Sequence, residues 1–262
     1  MSQVAEPAGT GVYVLGVTRE APAALADLPR LLPDRSLEAV VTPGLCALAC
    51  TVPADLVDEH LADDLVRLGG LAAAHDRVLR ALTGRTAVVP ARLGSIYPSR
   101  RAVAEMLGRH RQALSATLDR LAGCSEWGVK ILAADRPPAP GLGRPAAGED
   151  GSGTAYLRRK RAEGRLRAAG RQAMAALVGQ LHGDMAAVAQ VAVTRPPQAP
   201  QLSGSRQPML LNAAYLVDQA DQARFTALVG DLAERHEAAG LLVELTGPWP
   251  PYSFAGSGEA GA

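Results

Sequence analysis

The chain has 262 residues, a formal charge of +1, 48% hydrophobic residues and only 3% aromatic ones. That length buries a sizeable core in one or two domains, and the even charge balance excludes a global pull toward nucleic acid or acidic membrane. The three cysteines are an odd and sparse set, which excludes a disulfide framework and fits a reducing cytoplasm.

Residues 1–11 are short, small and polar, carry no basic-then-apolar export signal, and are expected to be disordered. Residues 12–17 read as a buried strand, and residues 22–32 as a short helix or loop broken by Pro29 and Pro33. Two apolar runs, 37–42 and 45–52, flank Pro43-Gly44 and predict a hairpin. Cys46 and Cys50 fall in its second strand as core fillers on one face with Leu48, because free cysteine behaves as a small apolar residue.

From Leu61 the period becomes helical. Leu61, Leu65, Leu68, Ala72, His75, Leu79 and Leu82 form one stripe, ended by Gly84. A short strand over 86–89 leads into Pro90-Ala91-Arg92-Leu93-Gly94-Ser95. Arg92 is expected to anchor that loop to a carboxylate or to carbonyls, with Glu126 and Asp76 as candidates. One long helix after Pro98, capped by Ser99, carries Val103, Leu107, His110, Leu114, Thr117 and Leu121, and Gly123 stops it. Residues 126–132 read as a strand that includes Glu126 and Trp127 as structural anchors.

Residues 135–153 are rich in Pro, Gly and Ala, have no period and predict a linker. The helix expected over 154–186 is basic in its first half, from Arg158 to Arg171, and apolar in its second along Gly170, Met174, Leu177, Leu181 and Met185. The basic half reads first as a solvated face, next as a surface for an acidic protein and least as a nucleic-acid site, since no aromatic platform interleaves beyond Tyr156. A strand over 187–194, a Pro-rich loop over 195–208 and an apolar strand over 209–217 follow. A helix marked by Phe225, Leu228, Leu232 and His236, begun by Asp218, precedes a final strand over 241–246.

That strand runs into Gly247-Pro248-Trp249-Pro250-Pro251-Tyr252-Ser253-Phe254, the most informative stretch of the chain. Proline fixes φ and removes the amide donor, so the segment cannot be a helix interior or a central strand. It is expected to be a stiff extended ribbon presenting Trp249, Tyr252 and Phe254. The rings are expected to pin the chain end onto its own core, to dock another protein or to clamp the two domains, and pinning and docking are compatible. The tail over 255–262 is expected to be disordered.

No nucleophile elbow, phosphate loop or dinucleotide fingerprint occurs. His75 and His110 lie on apolar stripes without metal-ligand spacing, so neither metal nor cofactor is expected. The order of elements predicts an α+β protein of two domains. Residues 12–134 form a ferredoxin-like domain lengthened by a helix and a strand, and residues 154–254 form an α+β domain with a long helix packed on an antiparallel sheet.

Several segments together resemble the gas vesicle GvpF/GvpL family. They are Val12-Tyr13-Val14-Leu15-Gly16, His75-Asp76-Arg77-Val78-Leu79, the stretch from Val89 to Tyr97, Glu126-Trp127-Gly128-Val129-Lys130, Gly153-Thr154-Ala155-Tyr156-Leu157, Leu211 to Val217, and Gly247 to Phe254. The family commonly has Phe and Thr at Leu93 and Ser95, and Glu at Asp76. The resemblance implies a non-enzymatic minor component of the gas vesicle in the cytoplasm. Such a protein contacts the hydrophobic shell protein GvpA and other gas vesicle accessory proteins, limits aggregation of the shell protein and helps nucleate the vesicle, with no nucleic-acid or membrane partner. The competing expectations are a ferredoxin-like regulatory protein holding a small molecule, and an enzyme whose site gathers Arg92, Glu126, Lys130 and His75.

Overall fold

The computed structural model describes residues 9–57, 64–83, 85–134, 153–197 and 207–256. The expectations for Leu61, Gly84, residues 1–8, the linker over 135–152 and the tail over 257–262 lie outside those residues. Helices and antiparallel sheets make an α+β fold in two compact units. The first takes the described residues of Met1–Trp127, Leu216–Ala220 and Gly247–Ala262; the second takes those of Gly128–Tyr215 and Asp221–Thr246.

In the first unit, β1 (Thr10–Thr18) begins inside the segment expected to be disordered. β2 (Glu38–Thr42) and β3 (Leu45–Pro53) form the expected hairpin, with Thr42 opposite Leu45. β4 (Val89–Pro90) and β5 (Ile96–Tyr97), shorter and more broken than the sequence suggests, both pair antiparallel with β1. The order β2-β3-β1-β4 is that of a ferredoxin-like unit. Its first crossover is reduced to a 3-10 turn at Leu25–Asp27, because Pro29 and Pro33 leave no room for a longer helix.

α1 (Leu65–Leu82) starts from Asp64, whose side chain accepts the Arg67 amide. Its buried stripe is Leu71, Ala74, His75, Val78, Leu79 and Leu82. Leu65 lies in the first turn and is 77% exposed, so the stripe begins later than the period predicts. These side chains cover the sheet face that bears Tyr13, Leu15, Leu48, Cys50 and Val52.

The single helix expected after Pro98 is two: α2 (Arg100–Arg109), capped by Ser99, and α3 (Arg111–Leu121). His110 leaves helical geometry at φ −100° and ψ 13°, two residues after Gly108, which holds a helix weakly. The break lets α2 lie against β2 and β3 while α3 lies against β4.

β6 (Cys124–Ala133), β7 (Val191–Thr194), β8 (Met209–Asp218) and β9 (Leu241–Trp249) form a second sheet in the order β7-β8-β6-β9. β6 therefore joins this sheet and is no extension of the first. β9 is an edge strand, which is where a strand tolerates Pro248. In the second unit, α4 (Gly153–Ala186) buries Val178, Leu181 and Met185 and lies against α5 (Gln222–Glu237), which buries Phe225, Val229 and Leu232. Asp218 accepts the Ala220 amide in a 3-10 turn, Gln219–Asp221, and α5 begins after that turn. Residues 160–173 of α4, which hold most of the basic run, are exposed on every side.

Candidate functional site

The first unit concentrates its buried polar chemistry where β1, α1 and the β4–β5 loop meet. Tyr13 on β1 is wholly buried, and a buried phenol needs a polar partner. Its hydroxyl lies 2.8 Å from Nδ1 of His75 on α1 and accepts the Gly94 amide at 3.2 Å. The buried hydroxyl proton needs an acceptor and Nδ1 is the one in reach, which puts the imidazole proton on Nε2. His75 is 3% exposed, and Nε2 has no hydrogen-bond partner among the described residues. Burial lowers the His75 pKa to about 4, against a smaller opposing pull from Asp76, and burial raises that of Tyr13 to about 12.

Tyr13 also fixes the loop that was expected to hang on Arg92. Gly94 takes φ +84°, open to glycine at no steric cost, and turns its amide onto the Tyr13 hydroxyl. The Ser95 amide and hydroxyl donate to the Arg92 carbonyl at 3.1 and 2.8 Å, and the Val14 amide takes the Ser95 carbonyl. The loop is thus anchored through the Arg92 backbone. The Arg92 side chain is exposed and has neither Glu126 nor Asp76 as its partner. Those carboxylates are taken by other groups, so neither candidate carboxylate holds Arg92.

The groups that take them come largely from the C-terminal strap, residues 249–256, which packs on its own unit. Trp249 closes β9, and the Arg80 guanidinium lies 3.5 Å from its ring centroid. Arg80 also pairs with Asp76 one turn away, and Asp76 accepts the Tyr252 hydroxyl at 3.1 Å. Glu126 is 6% exposed and accepts the Ser253 amide at 2.7 Å together with the Ser253 hydroxyl. From α3, Arg120 donates to the Phe254 carbonyl at 2.7 Å.

Gly247, at φ +132°, leaves no room for a β-carbon, which would meet the Trp127 ring at 3.1 Å and the Glu126 carbonyl at 3.0 Å. Phe254 is 5% exposed, Trp249 half-buried and Tyr252 39% exposed. Beyond Trp249 the strap is turned, not extended: the Tyr252 and Phe254 amides reach back to the carbonyls of Pro250 and Pro251. The prolines forbid a helix there, but two backward bonds are enough to fold the ribbon.

α1, the β4–β5 loop, the α2–α3 junction, α3 and the strap line a half-open cavity of about 980 Å³. Its polar lining includes His75, Asp76, Arg92, His110, Arg120 and Tyr252, and its apolar lining includes Val89, Pro90, Leu93 and Leu114. The two stripe histidines therefore do face one space. No group of three or more metal-ligating side chains occurs among the described residues.

Four separate segments converge here: 75–76, 89–95, 126–127 and 247–254. A model of the family described as gas vesicle synthesis protein GvpL/GvpF matches residues 11–256, which include all four. This chain belongs to the GvpL/GvpF family. It is 38% identical over 220 residues to gas vesicle protein L of Streptomyces sp. (strain CB03234), covering 82% of this chain and 81% of that one. It is 27% identical to gas vesicle protein F2 of Halobacterium salinarum, over 76% of this chain and 74% of the relative.

Crystal structures of the gas vesicle protein GvpF share the fold. That from Anabaena sp. PCC7120 aligns with a TM-score of 0.66 at 16% identity, covering 94% of this chain and 96% of that one. That from Microcystis aeruginosa aligns at 0.65 and 18% identity, covering 94% and 99%. Within this GvpL/GvpF chain, sequence reasoning singled out Glu126, Trp127 and the strap, and did not single out Tyr13, Arg80, Arg120 or Ser253. A tyrosine inside an apolar strand was the available signal, since its hydroxyl has to be satisfied.

Proposed function

We propose that this protein is a minor gas vesicle component and assembly factor that works in the cytoplasm. It binds the hydrophobic shell protein GvpA, limits its aggregation and helps nucleate the vesicle. Membership of the GvpL/GvpF family along residues 11–256 carries the reading. The physical need is plain: a wall-forming apolar subunit aggregates unless an apolar surface receives it first. Exposed large apolar side chains on the first unit suit that task, with Leu65 and Val66 together on the first turn of α1 and Tyr252 on the strap. Within the strap, Trp249 and Phe254 hold the segment in place and Tyr252 is the ring that meets a partner. No helix among the described residues is long and apolar enough to cross a membrane.

The test is capture of the shell protein by this chain, run beside light scattering of the shell protein alone. The native chain retains the shell protein and lowers its scattering, and Leu65→Ser with Val66→Ser and Tyr252→Ala loses both effects while keeping its circular dichroism. A native chain that neither retains the shell protein nor lowers its scattering overturns the reading. A second reading, binding of a small molecule by the ferredoxin-like unit, is favoured by one observation, the cavity beside His75 and Arg92.

A further inference from the structure

We propose that the cavity of the first unit is a binding site for a small amphipathic carboxylate, with the acid group on Arg92 and a short apolar body in the interior. The inference goes beyond the role in shell assembly and does not depend on it.

Size and lining set the class of ligand. A cavity of about 980 Å³ has room for a small organic molecule rather than a single ion. Val89, Pro90, Ala91, Leu93 and Leu114 give it apolar walls. The charges around them are unequal. Asp76, the one carboxylate among the lining residues, already holds Arg80 and the Tyr252 hydroxyl. Arg120 is turned to the Phe254 carbonyl. The Arg92 guanidinium stays exposed at the lining, with no carboxylate engaging it among the described ion pairs. A planar guanidinium without an acid partner, next to apolar walls, selects a planar anionic head on an apolar body.

His75 supplies a readout of occupancy. It is among the lining residues, and its Nδ1 is occupied by Tyr13. Its Nε2 is closed to water and has no hydrogen-bond partner among the described residues. Tyr13 ties the two cationic and donor groups together, since its hydroxyl holds both the His75 ring and the Gly94 amide of the loop that carries Arg92. Occupation of the cavity is therefore felt at His75 even by a ligand whose head sits on Arg92.

The probe is octanoate, titrated into the full chain and followed by calorimetry and by the ring nitrogen resonances of His75. Saturable binding is expected, with the His75 resonances moving in step with occupancy. Octanol, which keeps the body and lacks the charge, binds at least about tenfold more weakly, as does acetate, which keeps the charge and lacks the body. Arg92→Gln, a change at an exposed side chain, weakens octanoate by about tenfold with an unchanged circular dichroism spectrum. Any of four results overturns the proposal: no saturable octanoate binding, octanol binding as tightly as octanoate, Arg92→Gln binding as tightly as the native chain, or binding that leaves His75 unmoved. Shell-protein capture by Arg92→Gln is expected to match the native chain, so the two readings fail separately.

Discussion

The two units each contain a strand tyrosine bonded to a helix histidine, and the same pair does different work in each. In the first unit Tyr13 meets His75 at 2.8 Å; in the second, Tyr215 meets Nδ1 of His182 at 2.7 Å. The ring centroids are 5.7 Å apart in both. Both phenols are wholly buried, and burial raises the pKa of both. The surroundings differ. Tyr215 packs on Phe225 at 5.3 Å, and His182 is half-buried, so that pair is part of an apolar core with water near its polar end. Tyr13 also takes the Gly94 amide, and His75 is closed off beside a cavity with one nitrogen unsatisfied. An identical contact is packing in one unit and a hub of polar strain in the other, and only the neighbours tell them apart.

Four measurements break or sharpen that contrast. The largest effect belongs to the second pair's apolar support: Phe225→Ala, at a fully buried ring, costs about 4 kcal/mol in denaturant unfolding. A loss below about 1 kcal/mol would mean that Tyr215 and His182 stand without it.

Next comes pH. His75 stays neutral in the fold, with its pKa lowered to about 4, whereas the unfolded chain takes up a proton near 6.5. Its contribution is complete above pH 6.5 and is lost as pH falls from 6.5 to 4, amounting to about 3 kcal/mol. His75→Phe flattens that part of the stability profile. An unchanged slope in the variant would assign the loss to other groups.

Third, Tyr13→Phe strands the His75 ring and the Gly94 amide together and costs about 2 kcal/mol, while Tyr215→Phe, whose histidine reaches water, costs about 1 kcal/mol. Amide exchange at Gly94 accelerates in the first variant alone; equal exchange in both would erase the distinction. The smallest change is Tyr252→Phe, which removes one partly exposed bond to Asp76 and costs about 0.5 kcal/mol with the strap still in place. Release of Phe254 to solvent in that variant, read by proteolysis after the ring, would show that the Tyr252–Asp76 bond holds the strap.

Much of the fold was legible because local patterning decides it. Pro43-Gly44 between two apolar runs could only join a hairpin, and the stripe through His75, Leu79 and Leu82 could only face a core. The break at His110 was not legible, because the apolar period runs unbroken through it. Whether a helix bends there depends on which strands each half must cover. Leu65 misled for the same reason in reverse: it satisfies the period but sits one turn beyond the sheet.

At the site, composition marked residues 247–254 as special but could not say that the segment folds back onto Asp76, Arg120 and Glu126. The loop that carries Arg92 is held through its backbone, and neither Glu126 nor Asp76 meets the side chain. By itself the sequence determined the family, the α+β class, the hairpin and most elements, since these rest on periodicity, turn chemistry and motif order within short windows. Tertiary structure alone decided which carboxylate meets which cation, that β6 joins the second sheet, and that Tyr13 unites His75 with Gly94. Those outcomes depend on residues 62 and 81 positions apart being brought within hydrogen-bond reach. No local preference encodes such a meeting; the packing of α1 and the β4–β5 loop against β1 does.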